Sequence, residues 1–135
     1  EEAGIDSASA RVEQGLFTYR SGLDAAARIL EGPGAPTAIF APNDDMAPAA
    51  VGVAHRRGLQ VPGDLSIVGF DDTAIATSIW PALTTIRQPI SAMAEAAITM
   101  LLRRVRERPG ETEATEEEVL PYELVLRESA GPRKR

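Results

Sequence analysis

The chain has 135 residues, which is enough for one domain with a hydrophobic core but too few for two full domains. It contains no cysteine and one histidine, His55, so disulfides and thiolate sites are excluded, and the single histidine argues against catalytic triads and histidine-based zinc sites. A formal net charge of -6 argues against a broad nucleic-acid surface, and no apolar run is long enough to span a membrane. Because the chain does not begin with methionine and shows no signal-peptide pattern, we interpret it as a piece of a longer protein.

The first forty residues predict one helix between two short strands. The isolated segment 11–13 is interpreted as a strand. From Thr18, a good N-cap residue, apolar positions recur at helical spacing until Gly32, a residue that typically ends a helix. After a turn rich in glycine and proline, residues 37–41 predict a short buried strand.

The next segment predicts a second helix and a second strand. We expect Asp44 to cap a helix that ends at Gly58, with Leu59 folding back over the last turn. The apolar run 65–70 suits a strand covered on both faces, and Gly69 lets its backbone pass close to a neighbour. Strand, helix and strand joined by short connections predict a βαβ unit with parallel strands and a right-handed crossover.

The last third of the chain predicts a strand, a long helix and a final strand. Residues 81–86 are interpreted as a strand that Pro89 breaks, and residues 91–106 as a helix with a strongly apolar stripe. An acidic loop at 111–118 leads to residues 119–126, which are interpreted as a final strand or as a pair of strands split at Pro121. The predicted fold class is therefore α/β, with a doubly wound parallel sheet.

Two strands end in similar polar sequences, and this is where we expect chemistry. Ligands of parallel sheets bind beyond the carboxyl ends of the strands, which is where Asn43 and Asp71 fall. A carboxylate that accepts hydrogen bonds and an amide that both donates and accepts them suit a ligand with several hydroxyls. Phe17 is either an apolar face for a sugar ring or a core residue. Asp72 is interpreted, like Asp44, as a cap.

An enzyme is the alternative in a different class. Asp44, Asp45, Asp71 and Asp72 are candidate Mg²⁺ ligands of a phosphoryl-transfer site. Such sites balance phosphate charge with a cation, yet the sole lysine is Lys134 and no glycine-rich phosphate loop follows a strand. We therefore expect no enzyme activity, no metal and no cofactor.

Four ordered segments resemble the effector-binding domain of the LacI/GalR family of bacterial transcriptional repressors. They are residues 40–47 (FAPNDDMA), 57–72 (RGLQVPGDLSIVGFDD), 81–89 (PALTTIRQP) and 126–129 (LRES). The resemblance implies a type I periplasmic-binding-protein fold of two α/β lobes with a small molecule between them. It also implies that 1–88 form the C-terminal lobe, that 89–120 return to an absent N-terminal lobe, and that 121–135 form a final strand and tail.

The resemblance also implies roles for individual residues. Asp71 is similar to the carboxylate that accepts the hydroxyls of the effector, and Asn43 to its amide partner. Phe17 matches the aromatic residue that stacks on the effector, and Gln88 lies at a lobe crossing near the cleft. The effector is then a sugar or a similar small molecule.

The remaining implications concern partners and location. The helix after Asp44 with Pro48, and the segment Ile79 and Trp80, resemble the parts through which such repressors form homodimers, although Trp80 also suits a core position. Operator DNA would be bound only through a helix-turn-helix headpiece that these residues lack, in a cytoplasmic protein with no membrane contact. A periplasmic sugar-binding protein of the same fold is the nearest alternative.

Overall fold

The fold combines a four-stranded sheet with four helices within residues 10–106 and 117–132, the parts of the chain that the computed structural model describes. In chain order the elements are α1 (Tyr19–Ile29), β1 (Ala38–Phe40), α2 (Met46–Arg56), β2 (Ser66–Phe70), α3 (Ile75–Ser78), β3 (Thr84–Arg87), α4 (Ile90–Arg106) and β4 (Glu123–Val125).

The strand order in the sheet is the order in the chain, β1-β2-β3-β4. The pairs β1 with β2 and β2 with β3 are parallel, as the predicted βαβ unit requires. The pair β3 with β4 is antiparallel. The predicted α/β class is confirmed, and the sheet is parallel except for this one edge strand, which many mixed sheets carry.

Helices α1 and α2 pack against each other and supply most of the core. The side chain of Thr18 accepts a hydrogen bond from Ser21 N, and the Ser21 hydroxyl accepts one from Thr18 N, so the predicted N-cap is confirmed. Helix α2 is buried along most of its length, because its small side chains permit close packing. The predicted end of α2 is also correct, since Gly58 has a φ of +75° and Leu59 N donates back to Ala54 O.

The expectation that Asp44 caps α2 is wrong. Asp44 is buried, and its carboxylate accepts hydrogen bonds from the Thr85 hydroxyl at 2.6 Å and from Thr73 N at 2.8 Å. The carboxylate therefore links the start of α2 to β3 and to the loop after β2. Gly69 passes directly beside it, and a Cβ at Gly69 would overlap Asp44 Oδ1 and lie 2.8 Å from Leu83 Cδ2. The close backbone approach expected at Gly69 is thus confirmed.

The segment after β4 is fastened to the sheet by a buried serine. The hydroxyl of Ser129 accepts from Thr84 N at 2.8 Å and donates to Ile67 O at 2.5 Å, while Ser129 O accepts from Ile67 N. Ser129 therefore satisfies backbone groups of both β2 and β3 in the interior.

Two further expectations have different outcomes. The strand predicted at 11–13 is absent; instead, the Arg11 guanidinium donates to backbone carbonyls at the end of α1, including Ile29 O and Glu31 O. The long helix is confirmed as α4, but none of its side chains is buried by the described residues. No helix in 10–106 or 117–132 is long and apolar enough to cross a membrane. Part of the predicted acidic loop and the basic end 133–135 lie outside the described residues.

Candidate functional site

The carboxyl ends of β1 and β2 lie side by side at one edge of the sheet. Phe40 pairs with Val68, and Asn43 and Asp71 each come three residues later along the chain, just beyond the ends of the two strands. The parallel register therefore brings the two predicted site residues to the same edge, where ligands of such sheets bind.

Asp71 and Gln88 form a direct pair at this edge. The side-chain amide of Gln88 donates to Asp71 Oδ1 at 2.7 Å, and Asp71 N donates to Ile86 O at 2.9 Å. Both side chains are half-buried. Among the described residues, Asp71 Oδ2 has no hydrogen-bond partner, so one carboxylate oxygen remains available as an acceptor.

Asn43 and Phe17 form the second pair. The Asn43 amide donates to Phe17 O at 3.1 Å and its oxygen accepts from Met46 N at 2.9 Å. Asn43 thereby caps α2, the task that the sequence analysis gave to Asp44, and also fixes the loop that carries Phe17. The Phe17 ring is 63% exposed, so the alternative that it is a core residue is wrong.

Backbone conformation marks the same positions independently. Within the described parts of the chain, the residues other than glycine with positive φ are Phe17 (56°), Asp71 (114°) and Asp72 (55°). Such conformations cost free energy and cluster at ligand-binding sites. Two of the three residues were predicted ligand contacts, and the third follows Asp71 directly.

The expectation that Asp72 is a cap is wrong, because its carboxylate is shared by two arginines. Asp72 Oδ2 lies 2.6 Å from Arg87 Nε, and Oδ1 lies 2.6 Å from Arg127 Nη2. Burial alone would raise the pKa of the Asp72 carboxyl, but hydrogen bonds and charge from Arg127 and Arg87 outweigh it and hold the pKa below its ordinary value. The same contact with Asp72 raises the pKa of Arg87.

Sequence analysis missed both arginines. Arg87 is the last residue of β3 and lies opposite Glu123, whereas Arg127 follows β4 by two residues and bonds to Leu83 O, near the start of β3. Because the strands are antiparallel, the two arginines come from opposite ends of β3, and their guanidinium groups share only the Asp72 carboxylate.

An apolar cleft of about 430 Å³ opens beside Gln88. Its walls come from the ends of β2 and β3, the start of α4 and the segment before β4, and its lining includes Phe70, Met93, Leu120 and Tyr122. Phe40 also lies at this edge, with its ring centroid 6.4 Å from that of Phe70 in an edge-to-face arrangement. Aromatic and apolar surface is thus available next to the polar pair formed by Gln88 and Asp71.

Two of the four aspartates considered as alternative Mg²⁺ ligands have other partners. Asp44 accepts from threonine and backbone donors, and Asp72 lies between two guanidinium groups. No group of three or more potential ligands among the described residues is arranged to hold a metal ion. The geometry therefore gives the phosphoryl-transfer alternative no support.

The predicted dimer residues have different environments. Trp80 is 76% exposed, which rules out the alternative that it is a core residue, and its ring centroid lies 5.7 Å from that of His55. Ile79 is half-buried and packs on the core. Pro48 lies in the first turn of α2 and is buried within this chain, so Trp80 presents far more surface to a partner than Pro48 does.

Comparison with known proteins agrees with this architecture. A family model described as "Periplasmic binding protein-like domain" matches residues 1–130. The HTH-type transcriptional regulator DegA of Bacillus subtilis is 44% identical over 132 residues, which is 98% of this chain and 38% of DegA. The chain thus spans well under half the length of the curated relatives that it matches.

Two solved structures add ligand-bound examples. The transcriptional regulator CelR in complex with cellobiose matches with a TM-score of 0.82 and 34% identity over 96% of this chain and 38% of its own. A LacI family transcriptional regulator from Enterococcus faecium with bound ribose matches with a TM-score of 0.70 and 31% identity over 89% of this chain and 43% of its own. The predicted resemblance to LacI-type effector-binding domains is confirmed.

Proposed function

Since the chain belongs to the periplasmic-binding-protein-like domain family, we propose that it is the C-terminal lobe of the effector-binding part of a LacI-type transcriptional regulator. In this proposal residues 1–88 form the lobe, 89–120 return to a second lobe, and 121–135 end the chain. A small molecule binds between the lobes and thereby changes the affinity of the intact regulator for its operator.

The observation that carries the proposal is the state of Asp71. Its carboxylate is half-buried at the carboxyl edge of the parallel strands, and Gln88 orients one oxygen while the other has no partner among the described residues. A carboxylate held in this way is suited to accept hydrogen bonds from ligand hydroxyls, which are strengthened by its charge. The exposed Phe17 ring supplies an apolar face, and Asn43 positions it.

These groups favour a neutral effector that carries several hydroxyls. Negative charge at Asp71 opposes a phosphorylated ligand, whereas sugar hydroxyls donate to carboxylates and the apolar face of a sugar packs on aromatic rings. Two similar regulators were solved with cellobiose and with ribose, both of which are sugars. We therefore propose a sugar or similar small molecule as the effector.

Calorimetric titration of the intact protein with a panel of monosaccharides and disaccharides, including ribose and cellobiose, tests the proposal. At least one sugar should bind, and Asp71→Asn should weaken that binding by roughly tenfold to a hundredfold, the equivalent of one charge-assisted hydrogen bond. Asp45→Asn is the matched control, because Asp45 is exposed near the same edge and makes no side-chain capping bond. Equal weakening by both variants, or no binding by any sugar, would contradict the proposal.

The proposal also assigns partners and location. Operator DNA is bound by a part of the intact protein other than this acidic chain, the protein forms a homodimer through the region of α2, Ile79 and Trp80, and it acts in the cytoplasm. It binds its effector without a cofactor and is not an enzyme. A gel shift in which this chain alone selects an operator sequence would contradict the first of these assignments.

A periplasmic sugar-binding protein is the second candidate. Both the fold and the description of the matching family, a periplasmic-binding-protein-like domain, are compatible with it. The edge chemistry at Asp71 fits both proteins. The gene upstream of this segment distinguishes them: a helix-turn-helix supports the regulator, and a signal peptide supports the periplasmic protein.

A further inference from the structure

The backbone immediately after β2 adopts an unfavourable conformation at two successive residues. Asp71 has a φ of 114° and Asp72 a φ of 55°, a region that residues with a Cβ rarely adopt. Two such residues in a row persist only where surrounding contacts hold them.

Asp72 provides the strongest of these contacts. Its two carboxylate oxygens each lie 2.6 Å from a guanidinium nitrogen, one of Arg87 and one of Arg127. Arg127 is itself fixed, because a second guanidinium nitrogen donates to Leu83 O at 2.8 Å and its backbone N donates to the Thr84 hydroxyl at 2.9 Å. The Asp72 side chain is only 8% exposed and that of Arg127 17%, whereas the Arg87 side chain is 49% exposed, so the pair with Arg127 is the better shielded from solvent.

The same contacts determine where Asp71 points. Asp71 N donates to Ile86 O, and the residue after Asp72, Thr73, donates from its backbone N to the buried Asp44. Gln88, the partner of the Asp71 carboxylate, follows Arg87 directly. Asp72 therefore ties the turn to the strand end that also carries Gln88, which fixes the distance between the Asp71 and Gln88 side chains.

We propose that Asp72 is a positioning residue of the effector site, which holds Asp71 in its left-handed conformation and in contact with Gln88. The inference rests on the proposed function. It goes beyond it by assigning the turn geometry to Arg87, which directly precedes Gln88, and to Arg127, in the segment after β4.

Asp72→Asn specifically perturbs the ion pairs of Asp72 with Arg87 and Arg127. Asparagine accepts the left-handed backbone about as readily as aspartate does, so the variant removes the charge without adding backbone strain. A residue with only a structural role would lower stability and weaken sugar binding equally whatever stands at position 71. A positioning residue acts through Asp71, so its effect on binding should disappear once the carboxylate at position 71 is gone.

The experiment is a double-mutant cycle in the intact protein, with the sugar that binds most tightly in the panel as the probe. Asp72→Asn should weaken binding about tenfold beside Asp71, and by less than about twofold in the Asp71→Asn background, as expected for coupled neighbours. Asp45→Asn, which removes an exposed charge near the same edge, should change binding little in either background. Equal effects of Asp72→Asn in the two backgrounds would overturn the proposal.

A second measurement needs no sugar and separates this proposal from the proposed function. The side-chain amide resonances of Gln88 report its hydrogen bond to Asp71 and should shift in Asp72→Asn but not in Asp45→Asn. Unchanged Gln88 resonances in Asp72→Asn would overturn the positioning role even if sugars bind. If no sugar binds the wild-type protein but these resonances shift as expected, the proposed function fails while the role of Asp72 in placing Asp71 is supported.

Discussion

Gly69 offers the sharpest test of how the site is built, because a single added methyl group would reach the carboxylate that organises the edge. A Cβ at Gly69 would overlap Asp44 Oδ1 and lie 2.8 Å from Leu83 Cδ2. Overpacking of this kind costs about 1–3 kcal/mol. Displacing Asp44 also weakens its bonds from Thr85 and Thr73, at about 1–3 kcal/mol. Gly69→Ala should therefore lower the free energy of unfolding by about 2–5 kcal/mol.

Gly52→Ala is the matched control, with the opposite expected sign. Gly52 lies inside α2, and the nearest atoms to a Cβ there are Tyr19 Oη at 3.4 Å and Arg56 Nη1 at 3.8 Å, which is ordinary contact. Alanine inside a helix is favoured over glycine by about 0.5–1 kcal/mol. Urea denaturation of the intact protein, followed by circular dichroism, measures both variants. A Gly69→Ala protein as stable as the wild type, to within about 0.5 kcal/mol, would refute this account of the packing around Asp44.

Ser129→Ala leaves buried backbone groups of two strands without their hydroxyl partner, so thermal denaturation should show a loss of about 2–4 kcal/mol; an unchanged melting temperature contradicts this. Because the pKa of Asp72 is lower in the folded state, its contribution is present at neutral pH and lost as pH falls through the folded-state value. The stability difference between wild type and Asp72→Asn should thus shrink below about pH 4, and a constant difference argues against the ion pairs. Trp80→Ala should weaken dimerisation in analytical ultracentrifugation, whereas Asp24→Asn, at an exposed position of α1, should not. Equal dimer affinities of the two variants would show that Trp80 is not part of the interface.

Sequence reasoning succeeded where the signal is local. The spacing of apolar residues gives α1, α2 and α4, because a helix is specified by residues three and four apart, but it did not predict the short α3. The order of strand and helix gives the parallel pair β1 and β2. The ends of those strands then place Asn43 and Asp71 at one edge. The close backbone approach at Gly69 was also predictable, because a glycine inside an apolar strand indicates a close neighbour.

It failed where a side chain finds its partner far along the chain. Asp44 and Asp72 both lie in connections between a strand and a helix. Aspartates in such connections commonly cap a helix or stabilise a turn, so a cap was the natural prediction for both. Their partners come from distant strands: Thr85 is 41 residues from Asp44, and Arg127 is 55 residues from Asp72. Only the register of the sheet brings these groups together, and composition and periodicity do not contain that register. The left-handed backbone at Phe17 was equally invisible, because nothing in its residue type demands it.

Helix α4 has a consequence for how the intact protein denatures. It spans Ile90–Arg106, and the described residues bury none of its side chains. In proteins most helical stability comes from packing of an apolar face, so in the proposed regulator the order of α4 depends on the second lobe that packs on it. Unfolding of α4 and of that lobe should therefore be coupled, and calorimetry should show them melting in one transition.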